Sequence, residues 1–166
     1  MKDRHHLAAY FYTLGFTKGA EVGVLGGGYS LILCNSNPNL KLYCVDSWGL
    51  GDGRYTRYHL RKYEEAKIRL KDCNVVLVRK PSLAAVQDFE KGELDFVYID
   101  ASHSFDNIMR DIIEWTRKIR RGGIVSGHDY SGAVKDAVDV YTKWHRIKLE
   151  VTRVRTKGSR SWWFFV

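Results

Sequence analysis

Two short stretches carry the residue types that move protons or hold cations. In "YIDASHSFDN", residues 98–107, an apolar run ends on Asp100, and His103 follows three positions later. In "GIVSGHDY", residues 123–130, a second apolar run ends on His128 and Asp129. An imidazole has an ordinary pKa of about 6.5, so His103 is a candidate general base for a hydroxyl that must lose its proton. Asp100, His128 and Asp129 also form a ligand set for a divalent ion. Two carboxylates with water suit Mg2+, and an imidazole shifts the preference toward Mn2+, iron or zinc. A plainer reading stands beside both: His103 caps a helix or orients Asp100 through a hydrogen bond.

Further polar groups end the other apolar runs. Asp46 closes "LKLYCVD" (40–46), and Pro81-Ser82 follow "NVVLVR" (74–79). "AEVGVLGGG" (20–28) runs into glycines, but the G-x-G-x-x-G fingerprint of dinucleotide-binding folds fails, because Leu31 stands where its last glycine belongs. What remains is Glu21-x-Gly23-x-x-Gly26-Gly27. Glycines let a backbone pass close to a ligand, and Glu21 can accept a hydrogen bond from a cationic group. A carboxylate there suits a sulfonium amino acid and repels a pyrophosphate.

The elements that must position these groups follow from periodicity. Strands are predicted at 20–25, 40–46, 74–79, 94–100, 123–129, 147–155 and 161–166, with helices at 29–34, 55–71 and 82–89 between them. Phe105, Ile108, Met109, Ile112 and Ile113 form one helical stripe, which Gly122-Gly123 is expected to end. Val134, Ala137, Val138 and Tyr141 repeat that spacing. Alternating strands and helices predict an α/β fold, a mostly parallel sheet covered by helices on both faces. The last two strands have no helix between them and should pair as a hairpin, adding one antiparallel strand. In open α/β sheets the ligand site lies at the carboxyl ends of the strands, which is where all the polar groups above fall.

Taken together, "AEVGVLGGGYS", "LYCVDSW", "LDFVYIDASHSFDNIMRDI" and "RRGGIVSGHDY" resemble the class I S-adenosylmethionine-dependent methyltransferases, a Rossmann-like family with a seven-stranded sheet and a C-terminal antiparallel hairpin. Within it the likeness is to a small bacterial and viral O-methyltransferase-like group marked by D-x-x-H-S-[YF] and G-H-D-Y, and it spans residues 19–166. The resemblance implies that S-adenosylmethionine is the cofactor, that Glu21, Gly23 and Gly27 line its methionine end, and that Tyr29 and Ser30 at the start of the following helix also bind it. It implies Asp46 at the ribose, Ser82 near the adenine, and Asp100 both at the cofactor and in catalysis with His103. It further implies a small-molecule or glycan hydroxyl as acceptor. Asp100, His128 and Asp129 fit two mechanisms. One is a metal-free site; the other is that of the metal-dependent members related to catechol methyltransferases, where Mg2+ or Mn2+ lowers the acceptor's pKa. Residues 1–18 leave little room for the N-terminal helices that often build the acceptor pocket. The segment "SWGLGDGRYTRYHLRKY" (47–63) is expected to supply a lid instead.

The chain has 166 residues, enough for one domain over 1–166. No apolar run approaches the roughly 20 residues of a membrane span, and no signal peptide is evident, so a cytoplasmic location with Cys34, Cys44 and Cys73 reduced is expected. The formal charge is +8. With Trp48, Tyr55, Tyr58, Trp162 and Trp163, that charge raises a nucleic-acid methyltransferase as an alternative. "DASH" does not resemble the D/N-P-P-Y/F loop of amino-methylating enzymes. A non-catalytic nucleotide-fold binding module is the third reading. No partner beyond an acceptor, and no oligomeric state, is specified by the sequence.

Overall fold

The computed structural model describes residues 1–50, 56–154 and 159–166. Seven strands form one sheet in the order β3-β2-β1-β4-β5-β7-β6. They are β1 (Lys18–Val22), β2 (Lys41–Asp46), β3 (Val75–Arg79), β4 (Leu94–Ile99), β5 (Ile119–Gly127), β6 (Glu150–Val151) and β7 (Trp162–Phe165). β1 to β5 are mutually parallel, and β7 runs antiparallel to both β5 and β6. The expected single antiparallel strand is therefore β7. Strand order reverses between β1 and β4, which places the ligand-binding crevice of such sheets at their carboxyl ends.

Helices α1 (Arg4–Thr13), α2 (Gly28–Ser36) and α3 (Arg57–Arg69) cover one face, while α4 (Ser82–Ala85), α5 (Phe105–Thr116) and α6 (Gly132–Trp144) cover the other. The period-2 rule divides the strands between two cores. Val97, Val125, Trp162 and Phe164 pack under α5 and α6, whereas Phe96, Tyr98, Ile124 and Trp163 pack under α1 and α2. Trp48, Trp162 and Trp163 are buried, so three of the five aromatics that suggested a nucleic-acid surface serve as core. Tyr55 lies outside the described residues.

Three sequence expectations are corrected. Residues 1–18 contain a helix, α1, capped by Asp3, whose Oδ1 accepts the N–H groups of His5 and His6 at 3.0 and 3.1 Å. Gly122-Gly123 do not end α5. That helix stops at Thr116, and the glycines lie inside β5, where the pairing register with β4 shifts between Leu94↔Ile119 and Phe96↔Ile124. The sixth strand, expected over 147–155, pairs only at Glu150–Val151, because it is an edge strand with β7 as its one partner. Residue 155 of that stretch, and 51–55 of the expected lid, lie outside the described residues. No helix among the described residues is long and apolar enough to cross a membrane.

Candidate active site

A cleft of about 730 Å³ opens at the carboxyl ends of β1, β2 and β4, within the range of small-molecule sites. Gly23, Asp46, Ser82, Asp100, Asn107 and Asp111 are among the residues lining it. At its floor the chain leaves β1 directly beside β4. The Asp100 N–H donates to the Val22 carbonyl at 2.7 Å, and a Cβ on Gly23 would lie 2.1 Å from the Asp100 carbonyl oxygen. Gly23 also has φ +94°, so position 23 excludes a side chain on two grounds.

The loop after β1 is folded around Asp46. One oxygen of that carboxylate accepts the N–H groups of Val24 and Leu25 at 2.9 and 2.8 Å, and the other accepts that of Trp48 at 2.8 Å. Leu25 and Trp48 both have positive φ, and the Trp48 indole N–H closes the arrangement on the Leu25 carbonyl at 2.8 Å. A carboxylate has roughly four lone-pair sites, so Asp46 keeps capacity for a ligand hydroxyl at the cleft. Gly27 faces elsewhere. It caps α2 with φ +74°, and a Cβ there would meet Leu70 of the α3 C-terminus at 3.1 Å.

Glu21, Tyr29 and Ser30 stand one layer behind the floor, all buried. The Ser30 hydroxyl donates to Glu21, and burial pushes the Glu21 carboxyl up to about 8, with Ser30 opposing that rise. Asp100 is also raised, by burial first and then by the neighbouring Asp129 charge, against the opposing pull of His128, Arg4 and His103. Arg4 had no place among the sequence candidates. Its guanidinium comes from α1, lies 5.0 Å from the Tyr29 ring centre and 4.0 Å from the Asp100 carboxylate, and is itself only 6% exposed.

At the opposite wall, Trp115 Nε1–H donates to the Ser82 hydroxyl at 2.9 Å, which leaves the Ser82 proton directed at Asp111, 2.5 Å away. Burial raises the Asp111 carboxyl to about 6, with Ser82 opposing. Asp111 is a buried residue of α5 next to Ile112 but outside the apolar stripe, and sequence spacing alone gave no sign that it reaches the cleft.

The two motifs converge at the rim. His103 Nε2 lies 2.9 Å from one oxygen of Asp129, and His128 Nδ1 lies 3.0 Å from the other. Asp129 reaches both from a left-handed conformation, φ +52°, rare for a residue with a side chain. A carboxylate only accepts, so Nε2 of His103 carries the proton and Nδ1 is the basic atom. His103 is 62% exposed at the rim, while His128 is buried with its carbonyl bound by Trp162 Nε1–H at 3.0 Å. Asp100, His103 and Asp129 bring one ligand atom each to within 4.8 Å of one another. His128, expected as the third metal ligand, backs Asp129 from behind, and His103 takes the place in that cluster.

Comparison with solved structures places the fold. An O-methyltransferase-like protein from Klebsiella pneumoniae matches with a TM-score of 0.74 at 18% identity, covering 98% of this chain and 78% of the other. The O-methyltransferase from Bacillus cereus, solved with S-adenosylhomocysteine, matches at 0.73 and 14% identity, with 98% and 80% covered. TomG from Streptomyces achromogenes, an O-methyltransferase of tomaymycin synthesis solved with S-adenosylmethionine, matches at 0.72 and 16% identity, with 98% and 79% covered. No curated protein sequence matches significantly. The family model described as "Methyltransferase domain" matches residues 20–130, from within β1 through the His128-Asp129 turn, and this chain belongs to that family.

Proposed function

We propose that this S-adenosylmethionine-dependent methyltransferase delivers its methyl group to a hydroxyl of a small molecule or glycan, with His103 as the general base. The observation that carries this reading is the His103–Asp129 contact at the rim of the cleft, which leaves the His103 Nδ1 free to take a proton. The solved neighbours with S-adenosylhomocysteine and S-adenosylmethionine bound support the choice of cofactor. The cleft suits such a ligand: Asp46 offers an acceptor to a ribose diol, and the Ser82–Asp111 wall offers acceptors to an adenine amino group. Gly23 and Asp100 bound the methionine end, with Glu21, Tyr29, Ser30 and Gly27 shaping that end from behind. Methyl transfer from a sulfonium needs alignment more than activation, and the side chains here orient both partners and remove one proton. The finer likeness, to the group with D-x-x-H and G-H-D-Y endings, is part of this proposal.

Asp100, His103 and Asp129 also fit a divalent ion by donor chemistry, two carboxylates and an imidazole within reach of one another. Bound there, Mg2+ or Mn2+ would lower the pKa of an acceptor hydroxyl. His103 would then be occupied as a ligand, so the two mechanisms separate by experiment. Without metal, His103→Ala lowers methyl transfer about 10²–10⁴-fold while S-adenosylhomocysteine affinity holds, and chelator has no effect. Loss of activity with chelator, restored by Mg2+ or Mn2+, assigns the site to a metal. Full activity of both His103→Ala and Asp129→Ala on the true acceptor overturns both.

A further inference from the structure

Arg4 is a buried polar group that the site as described leaves unused. It is 6% exposed, and its Nε is buried with no hydrogen-bond partner among the described residues. The neighbouring Asp100 carboxylate, at 4.0 Å, is too far for a hydrogen bond. Burying a guanidinium donor without an acceptor costs free energy, and neither the approach to Asp100 nor the contact with the Tyr29 ring gives Nε one. α1 is capped by Asp3, and the Tyr29 hydroxyl donates to the Arg4 carbonyl at 3.0 Å, so the helix start is held by other groups. The side chain lies against Tyr29 at the start of α2, beside the carboxylate that lines the floor of the cleft.

We infer that Arg4 binds the α-carboxylate of the methionine end of the cofactor, an inference that rests on the cofactor assignment made above. The chemistry matches on both sides. Nε and one Nη of a guanidinium form a fork that fits the two oxygens of a carboxylate. Beside it the Asp100 carboxylate lines the cleft floor and suits an ammonium. An amino-acid zwitterion thus meets one cation and one carboxylate, each on its own side. Arg4 is then a specificity-determining residue: it repels the ammonium toward Asp100 and distinguishes ligands that have a carboxylate from those that do not.

The test compares three nucleosides by calorimetry on the intact protein: S-adenosylhomocysteine, its decarboxylated analogue, and 5′-methylthioadenosine, which lacks the whole amino acid. Wild type should prefer S-adenosylhomocysteine to the decarboxylated analogue by roughly 10- to 100-fold, the range of a charged hydrogen bond. Arg4→Met should lose that factor for S-adenosylhomocysteine alone and bind the other two as wild type does, and Arg4→Lys should recover part of it. If wild type shows no preference, the inference is wrong whether or not the variants fold. An equal loss for all three nucleosides in Arg4→Met also overturns it, since that pattern belongs to a structural residue. If wild type binds methylthioadenosine but gains nothing from the amino-acid tail, the cofactor class survives and the role of Arg4 does not. If none of the three binds, the cofactor assignment itself has failed and takes this inference with it.

Discussion

Glu21 and Asp46 look alike in the sequence, each an acidic residue ending or entering an apolar strand, yet their surroundings give them different work. Asp46 is met by three backbone N–H groups, and it sets the shape of the loop that a ligand would touch. Glu21 is sealed behind that loop with one hydroxyl donor, and burial holds it near 8. The sign of the consequence is fixed. Because the folded-state pKa lies above the ordinary 4.5, the neutral form is favoured in the fold. The stability tied to that preference is fully present below 4.5 and is lost as pH rises through about 8. Thermal denaturation of wild type and Glu21→Gln between about pH 6 and 9 should show the wild-type melting temperature falling relative to the variant. Parallel curves would mean that Glu21 is already ionised in the folded protein.

At the scale of elements, the parallel α/β alternation was legible because buried strands such as Phe96–Ile99 are continuous apolar runs between helices with clear stripes. α1 was not legible. Leu7, Ala8, Ala9, Tyr10, Phe11 and Tyr12 run around the helix without leaving a polar face, so no stripe marks it, and Arg4 was invisible with it. The only signal was Asp3 placed as a cap. Gly122-Gly123 misled for a physical reason: a glycine pair reads equally well as a helix stop or a strand irregularity, and only pairing with β4 decides. The candidate catalytic motifs were legible as polar strand ends, but which histidine faces Asp100 and which backs Asp129 depends on the left-handed turn at 129. Gly27 shows the same limit. Its sequence setting suggested a backbone that passes close to a ligand, and the structure adds that a side chain there would meet Leu70 at the α3 C-terminus. Gly27→Ala should therefore destabilise the domain by about 1–2 kcal/mol, through a strained φ and a crowded helix contact, with only a small change in cofactor affinity. Thermal denaturation beside calorimetry checks it. Lost affinity at an unchanged melting temperature would return Gly27 to the cleft.

For the molecule as a whole, the +8 charge is the excess of 27 basic over 19 acidic residues, and part of the basic set is paired on helix surfaces. Lys62 and Arg61 pair with Glu65, Lys67 with Glu64, Arg117 with Glu114 and Lys135 with Asp139. Exposed pairs of this kind add little stability. The large tryptophans at 48, 162 and 163 are core. What remains distinctive is the crevice where β1, β2 and β4 end, shaped by Gly23 and Asp46 and flanked by a histidine–aspartate pair. The functional assignment requires that this crevice take a sulfonium nucleoside and not a dinucleotide. Isothermal titration of the wild-type protein with S-adenosylhomocysteine and, separately, with NAD tests this most directly. Saturable one-to-one binding of S-adenosylhomocysteine with no heat from NAD is the predicted result; binding of NAD with none of S-adenosylhomocysteine would contradict it.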